Sequence, residues 1–302
     1  MIEDAHHGRA PRLLIFDSGL GGLTVARAIR EAAPEARMSY VADDAGFPYG
    51  ALDETAIEAR VLRIMGEALD PMRPDAVVIA CNTASTIALA ALRNAHPHTP
   101  FIGTVPAVKP AAAMSRSGLI SVLATPATVN REYTRALIAE HGRGCAFTLV
   151  GSHRLAPLAE RHMMGERVSD EVILSEISPC FVTAEDGRRT DVIVLACTHY
   201  PLLMDRLDRL APWPVAWLDP APAIARRAAN LLSEMGFIVG VGAQRPRGDI
   251  HFTSGALPAA PALALIGSYG LGLRGAAGAR DETAHYETPW GGVESLQEPE
   301  RR

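Results

Sequence analysis

The chain contains nearly the same strand twice. Asp75-Ala-Val-Val-Ile-Ala-Cys81-Asn82-Thr83 and Asp191-Val-Ile-Val-Leu-Ala-Cys197-Thr198-His199 each run from an Asp through an apolar stretch and an Ala to a Cys six positions on. Hydrogen-bonding side chains follow in both copies. An apolar, β-branched run without polar alternation reads as a strand covered on both faces, as in parallel sheets. Each Cys then falls at the carboxyl end of its strand, where open α/β sheets bind ligands. The copies lie 116 residues apart, a domain-sized repeat. The expected fold is therefore α/β: two similar domains, each a mostly parallel sheet flanked by helices, with pseudo-twofold symmetry and the site in the cleft between them.

The rest of the chain alternates in the same way. Strand patterns fall at Leu13–Phe16, Met38–Val41, Phe101–Val105, Leu119–Leu123, Phe147–Val150, Val215–Leu218 and Ile250–Thr253. Helical patterns fall at Leu23–Ala33, Asp53–Leu69, Ala84–Arg93, Val129–His141, Val168–Phe181, Leu202–Leu210 and Ala221–Met235. Such alternation implies βαβ units. The expected first domain is discontinuous, residues 11–104 plus 215–270, with 105–214 as the second. Residues 1–10 and 271–302 lack periodicity and read as flexible termini.

Composition narrows the function classes. The 302 residues carry a net charge of −5 with both signs interspersed, which leaves no electrostatic footprint for nucleic acid or an anionic membrane. No apolar run is long enough for a membrane span, and the N-terminus lacks a signal-peptide pattern. Four cysteines do not make a disulfide scaffold, so a reducing cytoplasm is expected. Lys109 is the single lysine among 29 basic residues. It lies in the Pro-flanked stretch Thr104–Pro110, which reads as a connection and is a poor setting for the Schiff-base lysine of pyridoxal chemistry. Neither a cofactor nor a metal is expected.

The chemistry is expected at Cys81 and Cys197; Cys145 and Cys180 read as small buried hydrophobes. A thiol becomes a proton acceptor near neutral pH when its surroundings stabilise the thiolate, and a helix is expected to start just after each of the two. Two such groups on opposite faces of one carbon can remove a proton from one side and return one to the other. A redox pair would normally show Cys-x-x-Cys, which is absent. Asp17, at the end of the first strand, suits a proton relay or an ammonium partner, since a carboxylate beside a thiol disfavours the thiolate. His199 suits the role of imidazole beside Cys197. Ser18, Asn82, Thr83, Thr125 and Thr198 all fall in strand-to-helix turns, where hydroxyls, amides and free N–H groups hold carboxylates; Ser18 and Thr125 are equally suited to capping. The turn Gly19-Leu-Gly21-Gly22-Leu-Thr24 fails as a dinucleotide fingerprint because Thr24 replaces the third glycine.

Taken together, Phe16-Asp17-Ser18-Gly-Leu-Gly-Gly-Leu-Thr24, Phe47-Pro-Tyr-Gly50, Ala80-Cys-Asn-Thr-Ala-Ser85, Ala124-Thr125-Pro-Ala-Thr128, Ala196-Cys-Thr-His-Tyr-Pro201 and Phe252-Thr-Ser-Gly255 resemble the glutamate racemases. The resemblance spans roughly residues 12–267. It implies a cofactor-independent two-base reaction on glutamate that supplies D-glutamate for peptidoglycan. Cys81 would take the α-proton of the D-enantiomer and Cys197 that of the L-enantiomer, with Asp17 and His199 as their respective auxiliaries. Glu160, in Ala156-Pro-Leu-Ala-Glu160, is the nearest match to a family glutamate in a Pro-Leu-Val-Glu context. Upstream of it, Gly151-Ser-His-Arg154 departs from the family's cysteine–proline element. Tyr49 and Gly50 would join Ser18, Asn82, Thr83, Thr125 and Thr198 in holding the substrate, and a homodimer is implied. A sister racemase acting on aspartate or a hydantoin, a silent small-ligand sensor and a thiol oxidoreductase are the competing readings.

Overall fold

Both cysteine strands form, and both are buried along their whole length. The computed structural model describes residues 9–240 and 248–273; the expectations for residues 1–8 and 274–302 lie outside them. The first half runs β1 (Arg12–Asp17), α1 (Leu23–Ala32), β2 (Arg37–Ala42), α2 (Glu54–Met72), β3 (Ala76–Ile79), α3 (Asn82–Ala95), β4 (Phe101–Gly103) and α4 (Val108–Met114). Next come β5 (Leu119–Ala124), α5 (Pro126–Val129), α6 (Glu132–His141), β6 (Ala146–Gly151), α7 (Leu155–Met163), α8 (Asp170–Ile177), β7 (Val192–Ala196), α9 (Met204–Leu210) and β8 (Ala216–Leu218). The chain then returns through α10 (Ala221–Glu234), β9 (Gly248–Phe252), α11 (Ala260–Ser268) and β10 (Leu271–Leu273).

Two parallel sheets result, ordered β10-β9-β2-β1-β3-β4 and β6-β5-β7-β8. Four strands of the first, β2-β1-β3-β4, have the order of the whole second sheet. Apolar clusters cover both faces of each sheet. In each, the strand order reverses between the first strand and the cysteine strand, β1/β3 and β5/β7. That is the point where open parallel sheets leave a crevice at their carboxyl ends. The repeated aspartates do structural work at the opposite ends. Asp75 accepts the Arg12 N–H at 2.8 Å, and Asp191 accepts the N–H groups of Arg116 and Ser117 at 2.7 and 2.9 Å.

Several expectations are corrected. The strand read at Val215–Leu218 was grouped with the first domain, yet β8 pairs with β7 in the second sheet. Residues 271–273, read from sequence as part of a flexible terminus, instead pair with β9 as β10. The supposed connection at Lys109 is the first turn of α4, where Pro110 is tolerated because no intrahelical N–H is needed there. The same rule explains α7, which had no sequence expectation and carries Pro157 in its first turn. The helix expected at Val129–His141 is two helices, since Arg131 has extended backbone at the start of α6. The helix expected at Val168–Phe181 tightens into a 3-10 turn at Ser178–Cys180, where Pro179 removes a donor.

Candidate active site

The carboxyl ends of β1, β2, β3, β5, β6 and β7 converge on one cavity of about 130 Å³. Cys81 and Cys197 both line it, with Ser18, Tyr49, Gly50, Asn82, Thr83, Thr125, Thr198 and His199. Of the residues singled out from sequence, Asp17 and Glu160 alone stand behind the wall. Phe47, Pro48, Ala51, Ser152, His153, Ala156 and Pro157 complete the lining and have no counterpart in the sequence expectations. The quoted Phe47-Pro-Tyr-Gly50 motif points to Phe47 and Pro48; Ser152, His153, Ala156 and Pro157 sit just before and at the start of α7, for which there was no sequence expectation.

Cys81 is the N-cap of α3, and its Sγ accepts the Ala84 N–H at 3.5 Å. The thiol donates to Ser18 Oγ, also at 3.5 Å. Burial, and then the nearby Asp17 charge, push the Cys81 thiol up to about 12 in spite of these contacts. Free Cys81 is therefore a protonated thiol at neutral pH.

Cys197 is placed differently. The helix expected directly after it is absent: a 3-10 turn at Tyr200–Leu203, with Pro201 in its first turn, separates it from α9. In place of a helix start it has an imidazole, His199 Nδ1, 3.9 Å from Sγ. The other ring nitrogen, Nε2, lies 2.8 Å from Glu160 Oε1. Burial of His199 opposes its protonation, but the Cys197 and Glu160 contacts outweigh it and hold the imidazole well above its ordinary value. Phe47 packs over the same ring, centroids 5.2 Å apart.

The strand registers make the asymmetry explicit. Phe16 pairs with Ile79 and Ala124 with Ala196. Aligning Ala80-Cys81 on Ala196-Cys197 therefore puts Asp17 over Ala124, Ser18 over Thr125 and Thr83 over His199. Each half carries one auxiliary that the other lacks.

Two of the hydrogen bonds that cross between the halves hold Asp17 and Glu160. Thr198 Oγ1 donates to Asp17 Oδ1 at 3.0 Å, and the Leu20 N–H donates to Glu160 Oε1 at 2.6 Å. Asp17 is fully buried. Burial raises it from 3.8 to about 6, against the opposing influence of His199, the Thr198 hydroxyl and the Gly19 and Gly22 N–H groups. On the cavity wall, the hydroxyls of Thr83, Thr125 and Thr128 lie within 3.0–3.3 Å of one another. Thr125 also caps α5, whereas Ser18 caps no helix. The Asn82 side chain is 2% exposed, and among the described residues neither its Oδ1 nor its Nδ2 has a partner. A buried amide in that state is a donor–acceptor pair available to a ligand.

The glycine turn after β1 is required by close approach. A Cβ on Gly21 would lie 2.4 Å from His199 Nδ1 and 2.6 Å from Thr198 Oγ1, and one on Gly19 2.2 Å from Glu160 Oε1. Gly21→Ala is expected to displace the imidazole, at a cost of about 1–3 kcal/mol in stability. Activity should fall at least ~100-fold, read as initial rate beside a thermal melt.

Comparison with known proteins gives a consistent picture. Residues 23–228 match the Asp/Glu/Hydantoin racemase family. The glutamate racemase of Brucella anthropi is 55% identical over 220 residues, covering 73% of this chain and 79% of that protein. That of Sinorhizobium fredii is 56% identical over 220 residues, covering 73% and 82%. The crystal structure of Escherichia coli glutamate racemase, in complex with L-glutamate and the activator UDP-MurNAc-ala, superposes with a TM-score of 0.77 at 35% identity. It covers 87% of this chain and 96% of that one.

Proposed function

Because the chain belongs to the Asp/Glu/Hydantoin racemase family, we propose that it interconverts L- and D-glutamate by proton transfer between Cys81, Cys197 and the substrate α-carbon. The observation that carries this reading is the presence of two thiols, one from each sheet, lining one cavity with unlike partners. Cys197, with His199 beside it, takes the α-proton of L-glutamate; an imidazole within reach of Sγ can relay that thiol's own proton. Cys81, a thiol at rest, donates to the opposite face and leaves D-glutamate. The two cysteines have then exchanged protonation states, which is the starting state for the reverse direction. No other proton acceptor of the α-carbon is required.

Asn82, Thr83, Thr125 and Thr198, with Ser18, Tyr49 and Gly50, hold the carboxylates and the ammonium. Their hydroxyls and the unpaired Asn82 amide suit a dianionic, zwitterionic substrate better than an apolar one. Asp17 orients Thr198 and offsets the ammonium charge, and Glu160 fixes the orientation of His199. The product serves peptidoglycan synthesis, as implied for the family, in a cytoplasmic homodimer. Among the described residues no helix is long and apolar enough to cross a membrane.

Each glutamate enantiomer, incubated with the protein in D₂O, is expected to lose optical activity while acquiring α-deuterium. Turnover of aspartate or a hydantoin with glutamate inert would reassign the substrate. A disulfide between Cys81 and Cys197 on mild oxidation, without racemisation, would instead support a redox role.

A further inference from the structure

The stretch between β2 and α2 forms one wall of the cavity but contains only two isolated 3-10 turns, Asp44–Gly46 and Tyr49–Ala51. Neither a helix nor a sheet ladder fixes it. Its fixed point is Asp43, a fully buried carboxylate on which donors from three parts of the chain converge. The Tyr49 hydroxyl donates to Oδ2. Arg60, on α2, grips both oxygens, with Nη2 donating to Oδ1 at 2.6 Å. Thr253, just past β9, donates to Oδ1 at 2.5 Å. The neighbouring Asp44 accepts the Ser254 N–H at 2.9 Å and the Ser254 hydroxyl. The Phe252-Thr-Ser-Gly255 segment is thus the socket into which this wall is fastened.

The far side of the wall meets the second half of the molecule. Phe47 covers the His199 ring, and a Cβ on Gly50 would lie 3.4 Å from Thr125 Cβ. Anchoring at Asp43 therefore sets the wall's position relative to both. We propose that Asp43 is a positioning residue for racemisation: by gathering Tyr49, Arg60 and Thr253 on one carboxylate it fixes the Phe47–Gly50 wall against His199 and Thr125. The inference rests on the racemase reading above. A pre-set wall removes the ordering that binding would otherwise require, so its loss raises KM more than it lowers kcat.

Asp43→Asn keeps the shape but loses the charge facing Arg60 and turns an amide N–H toward donors. The expected result is a rise in KM for glutamate of about tenfold with kcat within about threefold. Amide exchange of residues 44–52 in ligand-free protein should also be faster, while β1 and β3 remain protected. Where Asp43→Asn fails to fold, Thr253→Val removes a single donor; KM is expected to rise about threefold and Thr253→Ser to restore it. Wild-type KM and unchanged exchange in the variants would overturn the inference, as would a loss confined to kcat. Wild-type protein inactive on both enantiomers would sink the racemase reading itself, and the exchange measurement would then judge the Asp43 anchor independently of substrate.

Discussion

Cys197→Ser is expected to abolish net racemisation in both directions, by at least ~10³-fold, with a melting temperature close to wild type. Serine fits the site of a buried cysteine, but its hydroxyl is a far weaker acid than a thiol, so it neither takes nor returns the α-proton at a useful rate. Cys81→Ser should do the same. The two variants should differ in D₂O. With Cys81 intact, D-glutamate can still lose and regain its α-proton on one face, acquiring deuterium without inverting. With Cys197 intact, the same partial reaction belongs to L-glutamate. The two-base proposal falls if either single variant inverts its substrate at the wild-type rate, or if both variants exchange the same enantiomer. Nuclear magnetic resonance of the α-proton beside polarimetry separates these cases.

Asp17→Asn is expected to make the protein more stable and much less active. The Asp17 carboxyl is raised from 3.8 to about 6 by burial, so the native state binds its proton more tightly than the unfolded chain does. Its contribution to stability is therefore fully present below about pH 4 and is lost as pH rises through about 6. Above that, holding the charge costs the fold on the order of 3 kcal/mol. Asparagine removes that cost but turns an N–H toward the Gly19 N–H, which donates to Asp17 at 3.1 Å, so part of the gain is lost. A net rise of roughly 3–8 °C in Tm at pH 7.5 is expected, shrinking toward zero near pH 4. Activity should fall at least ~100-fold, because the buried charge that holds the Thr198 hydroxyl at the cavity wall is gone. A Tm difference independent of pH would show that the carboxyl is not titrating as described.

The strand-ending cysteines and the parallel sheets were legible because a buried parallel strand is written in contiguous residues. Asp17 and His199 were legible for the same reason: each lies within three positions of a strand end. The unequal treatment of the two thiols was only half visible. Cys81-Asn-Thr and Cys197-Thr-His look alike as strings, but Pro201 turns the second into a 3-10 turn and deprives Cys197 of a helix start. Glu160 was legible through a family motif alone: its contact with His199 joins residues 39 positions apart. Asp43 gave no local signal at all. Its partners lie 6, 17 and 210 positions away, and convergence over such separations is a property of tertiary structure.

Two of the hydrogen bonds that cross between the halves tie a carboxylate of each half to the other half. Asp17, from the first half, accepts from Thr198 of the second; Glu160, from the second, accepts from Leu20 of the first. Each acceptor also holds a residue of the cavity lining, Asp17 through Thr198 and Glu160 through His199. Separating the halves would break both links, each worth about 1.5–3 kcal/mol as a bond to a charged group. Asp17 and Glu160 therefore keep these partners only while the two halves stay in contact.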